Sequence, residues 1–99
     1  MTLEDLVSRG PSALSAEIDG EVVALDVGKG VCYGLDKVGS RVWALIEQPV
    51  AISTVCQTLM NEFDVDASTC ETDVLDLFAQ LRAEGLIAVL PEQKSPLET

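Results

Sequence analysis

The apolar residues of this chain change their period at Asp36, and that switch confines the chain to a small sheet followed by helices. Before it, Val23, Leu25 and Val27 alternate, as in a strand with one face buried. After it, Val38, Val42, Leu45 and Ile46 recur at helical spacing, with Asp36 as the N-cap and Pro49 as the stop. Three strands are expected ahead of the switch: Ala13–Asp19, Glu21–Val27 and Val31–Leu35. Asp19-Gly20 forms the first turn and Gly28-Lys29-Gly30 the second. Two more helices follow. Ile52, Val55, Cys56, Leu59, Met60 and Phe63 keep an i, i+3, i+4, i+7 pattern. Ser68 to Glu71 reads as a capping box that opens a helix ending at Gly85. Leu86 to Leu90 returns to strand composition. The expected fold class is therefore α+β and winged-helix-like: an N-terminal three-stranded antiparallel sheet, three helices and a short C-terminal strand.

Residues 13–90 form the expected domain. Residues 1–12 are polar, broken at Gly10-Pro11, and expected to fray, with a short amphipathic turn around Leu3, Leu6 and Val7 as the most they form. Residues 91–99 hold two prolines and no apolar period, and are expected to be disordered.

Charge narrows the function. Seventeen acids against six bases give a net charge of −11 over 99 residues. Such a chain repels phosphate backbones and anionic lipid, which argues against nucleic acid and membrane as partners. It contains no histidine, and its three cysteines lack metal-ligand spacing. General acid–base catalysis, a metal site and a cofactor are therefore not expected. Cys32, Cys56 and Cys70 read as small buried hydrophobes in a reducing, cytoplasmic setting. The start of the chain lacks a signal-peptide pattern, and no apolar run reaches membrane-spanning length.

Binding remains. On the third helix, Cys70, Val74, Leu77 and Leu81 define a core side, and Leu75, Phe78, Ala79 and the stem of Arg82 widen the apolar arc to about twice what a surface helix needs. Either the domain sandwiches this helix or one flank is left for something else. Gly34 removes a side chain from the third strand, where another backbone or a helix could come close. If that strand is an edge next to the third helix, the two form a groove that can accept a chain by β-augmentation. Val31, Tyr33 and Leu35 on one side of the pleat, and Cys32 and Gly34 on the other, would divide between core and groove. From Val27 to Ile46 three bases (Lys29, Lys37, Arg41) face one acid. These are either ordinary solvated charges or a positive collar that steers an acidic peptide inward.

The segment from Asp26 to Leu90 resembles the PqqD-like proteins, also called RiPP recognition elements. The resemblance lies in DVGKGVCYGLDKVGSRVWALI, with Tyr-x-Leu followed by Gly-x-x-Val-Trp. It continues through EFDVD and DVLDLFAQLRAEGLI. The Tyr-x-Leu and Gly-x-x-x-Trp combination is most similar to the stand-alone domains of lasso-peptide biosynthesis. Proteins of pyrroloquinoline quinone assembly usually carry Cys-Asp-Gly where this chain has Glu47-Gln48-Pro49. The resemblance implies a non-catalytic domain that holds the leader segment of a ribosomally made precursor as an extra antiparallel strand. It also implies delivery of that precursor to a processing enzyme, a leader peptidase. Alternatives are the same fold in another peptide-modification pathway and an acidic winged-helix protein-interaction module. Carried over by position, backbone contacts come from Val31, Cys32, Tyr33, Gly34 and Leu35, and the side-chain pocket from Val74, Leu75, Phe78 and Arg82.

Overall fold

The computed structural model describes residues 1–90; the expected disordered tail, 91–99, lies outside them. The elements are β1 (Leu6–Arg9), β2 (Ala13–Ile18), β3 (Glu21–Asp26), β4 (Val31–Gly34), α1 (Lys37–Leu45), β5 (Val50–Ala51), α2 (Ile52–Glu62), α3 (Ala67–Ala83) and β6 (Ile87–Leu90). The expected meander is β2-β3-β4, antiparallel throughout, and the three helices and the C-terminal strand follow as the periods predict. Asp19 and Gly20 both take positive φ in the hairpin turn, the geometry that Asp-Gly favours. Trp43, Phe78, Ile46, Ile52, Leu59, Leu81 and Leu86 are the largest fully buried side chains.

The first residues depart from expectation. Leu6–Arg9 does not fray: β1 is the middle strand of a second antiparallel sheet, ordered β5-β1-β6. The reason lies in what α2 lacks. Its N-cap, Ala51, makes no side-chain cap, so the first amide groups need acceptors from elsewhere. Ile52 N donates to the Asp5 carbonyl at 3.0 Å, and Ser53 N to the Leu3 carbonyl at 2.9 Å. Val7 is fully buried in the same segment. Arg9 Nε and Nη2 both donate to the Trp43 carbonyl, at 3.1 and 2.8 Å, and the guanidinium lies 4.9 Å from the Trp43 ring centroid. A cation thus satisfies a carbonyl in the last turn of α1, where the helix dipole favours it. Arg9→Ala is expected to lower stability by about 2 kcal/mol, the scale of a charged hydrogen bond, as read from urea unfolding.

Gly10 permits a close backbone approach. Its amide donates to the Leu86 carbonyl at 2.8 Å, and a methyl placed on it would stand 2.7 Å from the Gly85 carbonyl oxygen. Neither backbone can withdraw without breaking that bond. Gly10→Ala is therefore expected to cost about 1–3 kcal/mol, as overpacking does, seen as a lower midpoint of chemical unfolding. Gly85 sits at φ +78° after α3, the left-handed C′ position expected of it.

The N-terminus of α3 is also displaced from its expected place. Asp66, not Ser68, is the N-cap, and its carboxylate accepts from Thr69 N at 3.1 Å. The Thr69 side chain, and after it the Thr69 backbone amide, hold the Asp66 carboxyl below its ordinary range. Two of the three cysteines behave as expected: Cys56 and Cys70 are buried and free, whereas Cys32 is exposed. Burial, helped by the neighbouring Cys70, pushes the Cys56 thiol up to about 12 from 9.0. The folded state therefore keeps this proton to higher pH than the unfolded chain does, and stability falls as pH rises from about 9 toward about 12. Cys56→Ala is expected to remove that part of the alkaline slope in pH-dependent thermal melts.

Candidate binding groove

β4 pairs with β3 on one side and, among the described residues, with nothing on the other. The direction of its unpaired groups follows from one bond. Leu35 N donates to the Val22 carbonyl at 2.8 Å, so by the two-residue period the amides of Tyr33 and Val31 also point toward β3. Those of Cys32 and Gly34 then point outward, together with their carbonyls. The sheet presents an open border of donors and acceptors, the template an added strand needs.

Beside this border runs a groove of about 450 Å³. One wall is Tyr33, Gly34 and Leu35. The start of α1 contributes Asp36, Val38, Gly39 and Val42, and the end of α2 and the following loop contribute Leu59, Phe63 and Val65. α3 supplies Cys70, Asp73, Val74, Asp76, Leu77 and Gln80. The Tyr33 hydroxyl donates to Gln80 Oε1 across the groove. The Asp36 carboxylate caps α1 by accepting from Gly39 N at 2.8 Å. The pleat question left open by the sequence is answered here. Tyr33 and Leu35 line this groove, Leu35 being buried, while Cys32 is exposed on the opposite face.

Several expected site residues move. Phe78 is fully buried and does not line the groove; nor do Leu75, which packs against the core, or Arg82, which is exposed. Val74 remains, 3% exposed at the groove floor. The groove lies on the opposite flank of α3, the one carrying Asp73, Asp76, Leu77 and Gln80. Leu77 and Phe78 have exchanged roles: the expected core residue faces the groove and the expected groove residue fills the core. An apolar flank on a wheel shows what a helix wants covered, and here the domain itself covers it. A spacing signal for the groove-lining flank existed, since Asp73, Leu77 and Gln80 fall at i, i+4 and i+7.

The expected positive collar is absent. Arg41 forms a two-pronged ion pair with Glu62, at 2.7 and 2.8 Å; that contact raises the Arg41 pKa and lowers that of Glu62. Lys29 approaches the end of α3, where a methyl on Gly85 would stand 3.5 Å from its Nζ. Lys37 is the exposed first residue of α1. None of the three lines the groove, whereas Asp36, Asp73 and Asp76 do. Of the two close approaches expected at Gly34, the one by the protein's own helix is absent: a methyl there would meet no atom within 4 Å.

Among the described residues no group of three or more His, Cys, Asp or Glu could hold a metal ion. No helix among them is long and apolar enough to cross a membrane. Fold and groove together define a class: small α+β domains with an open strand border over an apolar trough, suited to taking up an extended chain. The chain belongs to the PqqD family; the family model for coenzyme PQQ synthesis protein D (PqqD) matches residues 21–87. Among solved structures it is similar to TbiB1 in complex with the TbiA(beta) leader peptide, at 35% identity and a TM-score of 0.76, covering 81% of this chain and 93% of that one. It also shares the fold of a lasso peptide synthetase B1 complexed with the leader peptide, at 22% identity and a TM-score of 0.74, covering 83% and 96%. No curated protein matches it in sequence.

Proposed function

We propose that this protein is a non-catalytic recognition domain of lasso-peptide biosynthesis. It captures the leader segment of a ribosomally made precursor as a further antiparallel strand on β4 and delivers it to a leader peptidase. The observation that carries this reading is the open border of Cys32 and Gly34 beside an apolar groove. The 35% identity to TbiB1, whose structure contains a leader peptide, supports it. Two buried free thiols fit work in the reducing cytoplasm.

In this reading the leader's backbone bonds to the outward groups of Cys32 and Gly34. Its alternate side chains descend between Tyr33 and Leu77 onto Val42, Leu59, Phe63 and Val74. Backbone pairing supplies affinity for any extended chain, and the apolar floor selects among sequences.

The test is calorimetric titration with a synthetic leader from the precursor encoded beside this protein's gene. Cys32→Pro deletes an outward donor and leaves the β3–β4 ladder intact. It is expected to weaken binding by about 100-fold, or about 2.7 kcal/mol, while Cys32→Ser binds like the parent. Equal affinity for the proline variant would remove β4 from the site.

A further inference from the structure

We propose that the groove selects a leader segment carrying a lysine or arginine on the N-terminal side of its apolar anchor, bound by Asp73 and Asp76. This rests on the leader-capture reading and adds the chemistry and polarity of the occupant.

Three observations support it. The first is the groove's own charge. Its lining contains three carboxylates, Asp36, Asp73 and Asp76, and no basic residue. The Asp36 carboxylate is occupied as a helix cap. Asp73 and Asp76 make no ion pair or side-chain hydrogen bond among the described residues; the ion pair found there joins Arg41 to Glu62. An apolar trough walled by unneutralised carboxylates repels an acidic segment and favours a cationic one, more strongly as the occupant displaces water.

The second is direction. α3 ends against the β3–β4 turn, where Lys29 and Asp26 face Gly85, and Gln80 meets Tyr33. Helix and strand therefore run antiparallel, and the earlier part of α3, with Asp73 and Asp76, lies toward Gly34 and Asp36. A strand added antiparallel to β4 enters at that end. Its N-terminal half passes the two carboxylates before its later residues reach Val31 and the Lys29 turn.

The third is the reach of the cation. A lysine or arginine lays its methylene stem on apolar surface and keeps its head polar. Leu77, between Asp73 and Asp76 on one side and Gln80 on the other, offers that surface in the same groove.

The experiment titrates the full chain with the same synthetic leader at low and high sodium chloride. Parent protein is compared with Asp73→Asn/Asp76→Asn. A control pair at the β2–β3 hairpin, Glu17→Gln/Glu21→Gln, changes net charge equally but lies outside this groove. The groove pair is expected to weaken binding about tenfold, the combined scale of two ion pairs, and to flatten the salt dependence. The hairpin pair should do neither. A leader with each Lys or Arg changed in turn to Gln should lose affinity for the parent at a position N-terminal to the apolar anchor, and lose nothing further on the groove variant. If parent and groove variant bind with equal affinity and equal salt slope while Cys32→Pro still weakens binding about 100-fold, the carboxylate assignment is overturned and leader capture stands. Cys32→Pro binding as tightly as parent overturns leader capture itself.

Discussion

Deleting residues 1–9 is expected to abolish cooperative unfolding, although the family match begins at residue 21. The deletion removes the middle strand of the β5-β1-β6 sheet and leaves β5 and β6 without a partner. It exposes the surface that fully buried Val7 covers. It also strips two acceptors from the uncapped start of α2 and a two-pronged donor from the end of α1. One buried valine contributes about 1.5–3 kcal/mol, and each orphaned buried polar group costs about 1–3 kcal/mol. Together these reach on the order of 5 kcal/mol, the low end of the whole stability of a domain. Thermal melts followed by circular dichroism should show a broad, non-cooperative change in the truncated chain and a sharp one in the parent. A sharp transition within a few degrees of the parent would show that β1 is dispensable.

Two neighbouring substitutions on α3 are expected to give opposite results. Phe78→Asp places a carboxylate where a fully buried ring now sits. Cavity formation costs about 3–5 kcal/mol, and burying an unpaired charge adds to it, so the variant should not fold. Leu77→Asp alters a partly exposed position on the groove wall. It should cost about 1–2 kcal/mol, within the ordinary range for point changes, and keep a cooperative transition. It should also lose leader binding, because a third α3 carboxylate would stand in the apolar trough. If Phe78→Asp folded and lost only binding, the groove would lie on the other flank of α3. If Leu77→Asp bound normally, the wall assigned to α3 would be wrong.

The Leu77/Phe78 pair shows where the sequence became ambiguous. At about 100° per residue the apolar arc runs from Leu77 at one edge, through Phe78 near its middle, to Ala79 at the other, and nothing local distinguishes the edge that meets the domain from the edge that meets solvent. The difference arises from the path of β4, with Tyr33 bonded to Gln80. The groove's charge was misjudged for a related reason. Lys29, Lys37 and Arg41 are close in sequence to β4, but Arg41 is held by Glu62, 21 positions away, and the carboxylates that enter the groove come from α3. The N-terminal segment was missed because a four-residue strand has too few positions to show a period. Its partners lie more than forty residues further along the chain.

Whatever depends on neighbours within one turn or one hairpin was already written in the chain. This includes the switch from alternating to helical spacing at Asp36, the Asp19-Gly20 turn, the cap on α1 and the Gly85 stop. Folding alone decided which side of α3 faces outward, where the leftover charges converge, and that the first nine residues close the molecule. Those outcomes depend on contacts between residues distant in sequence, whose energies exist only once the elements have packed.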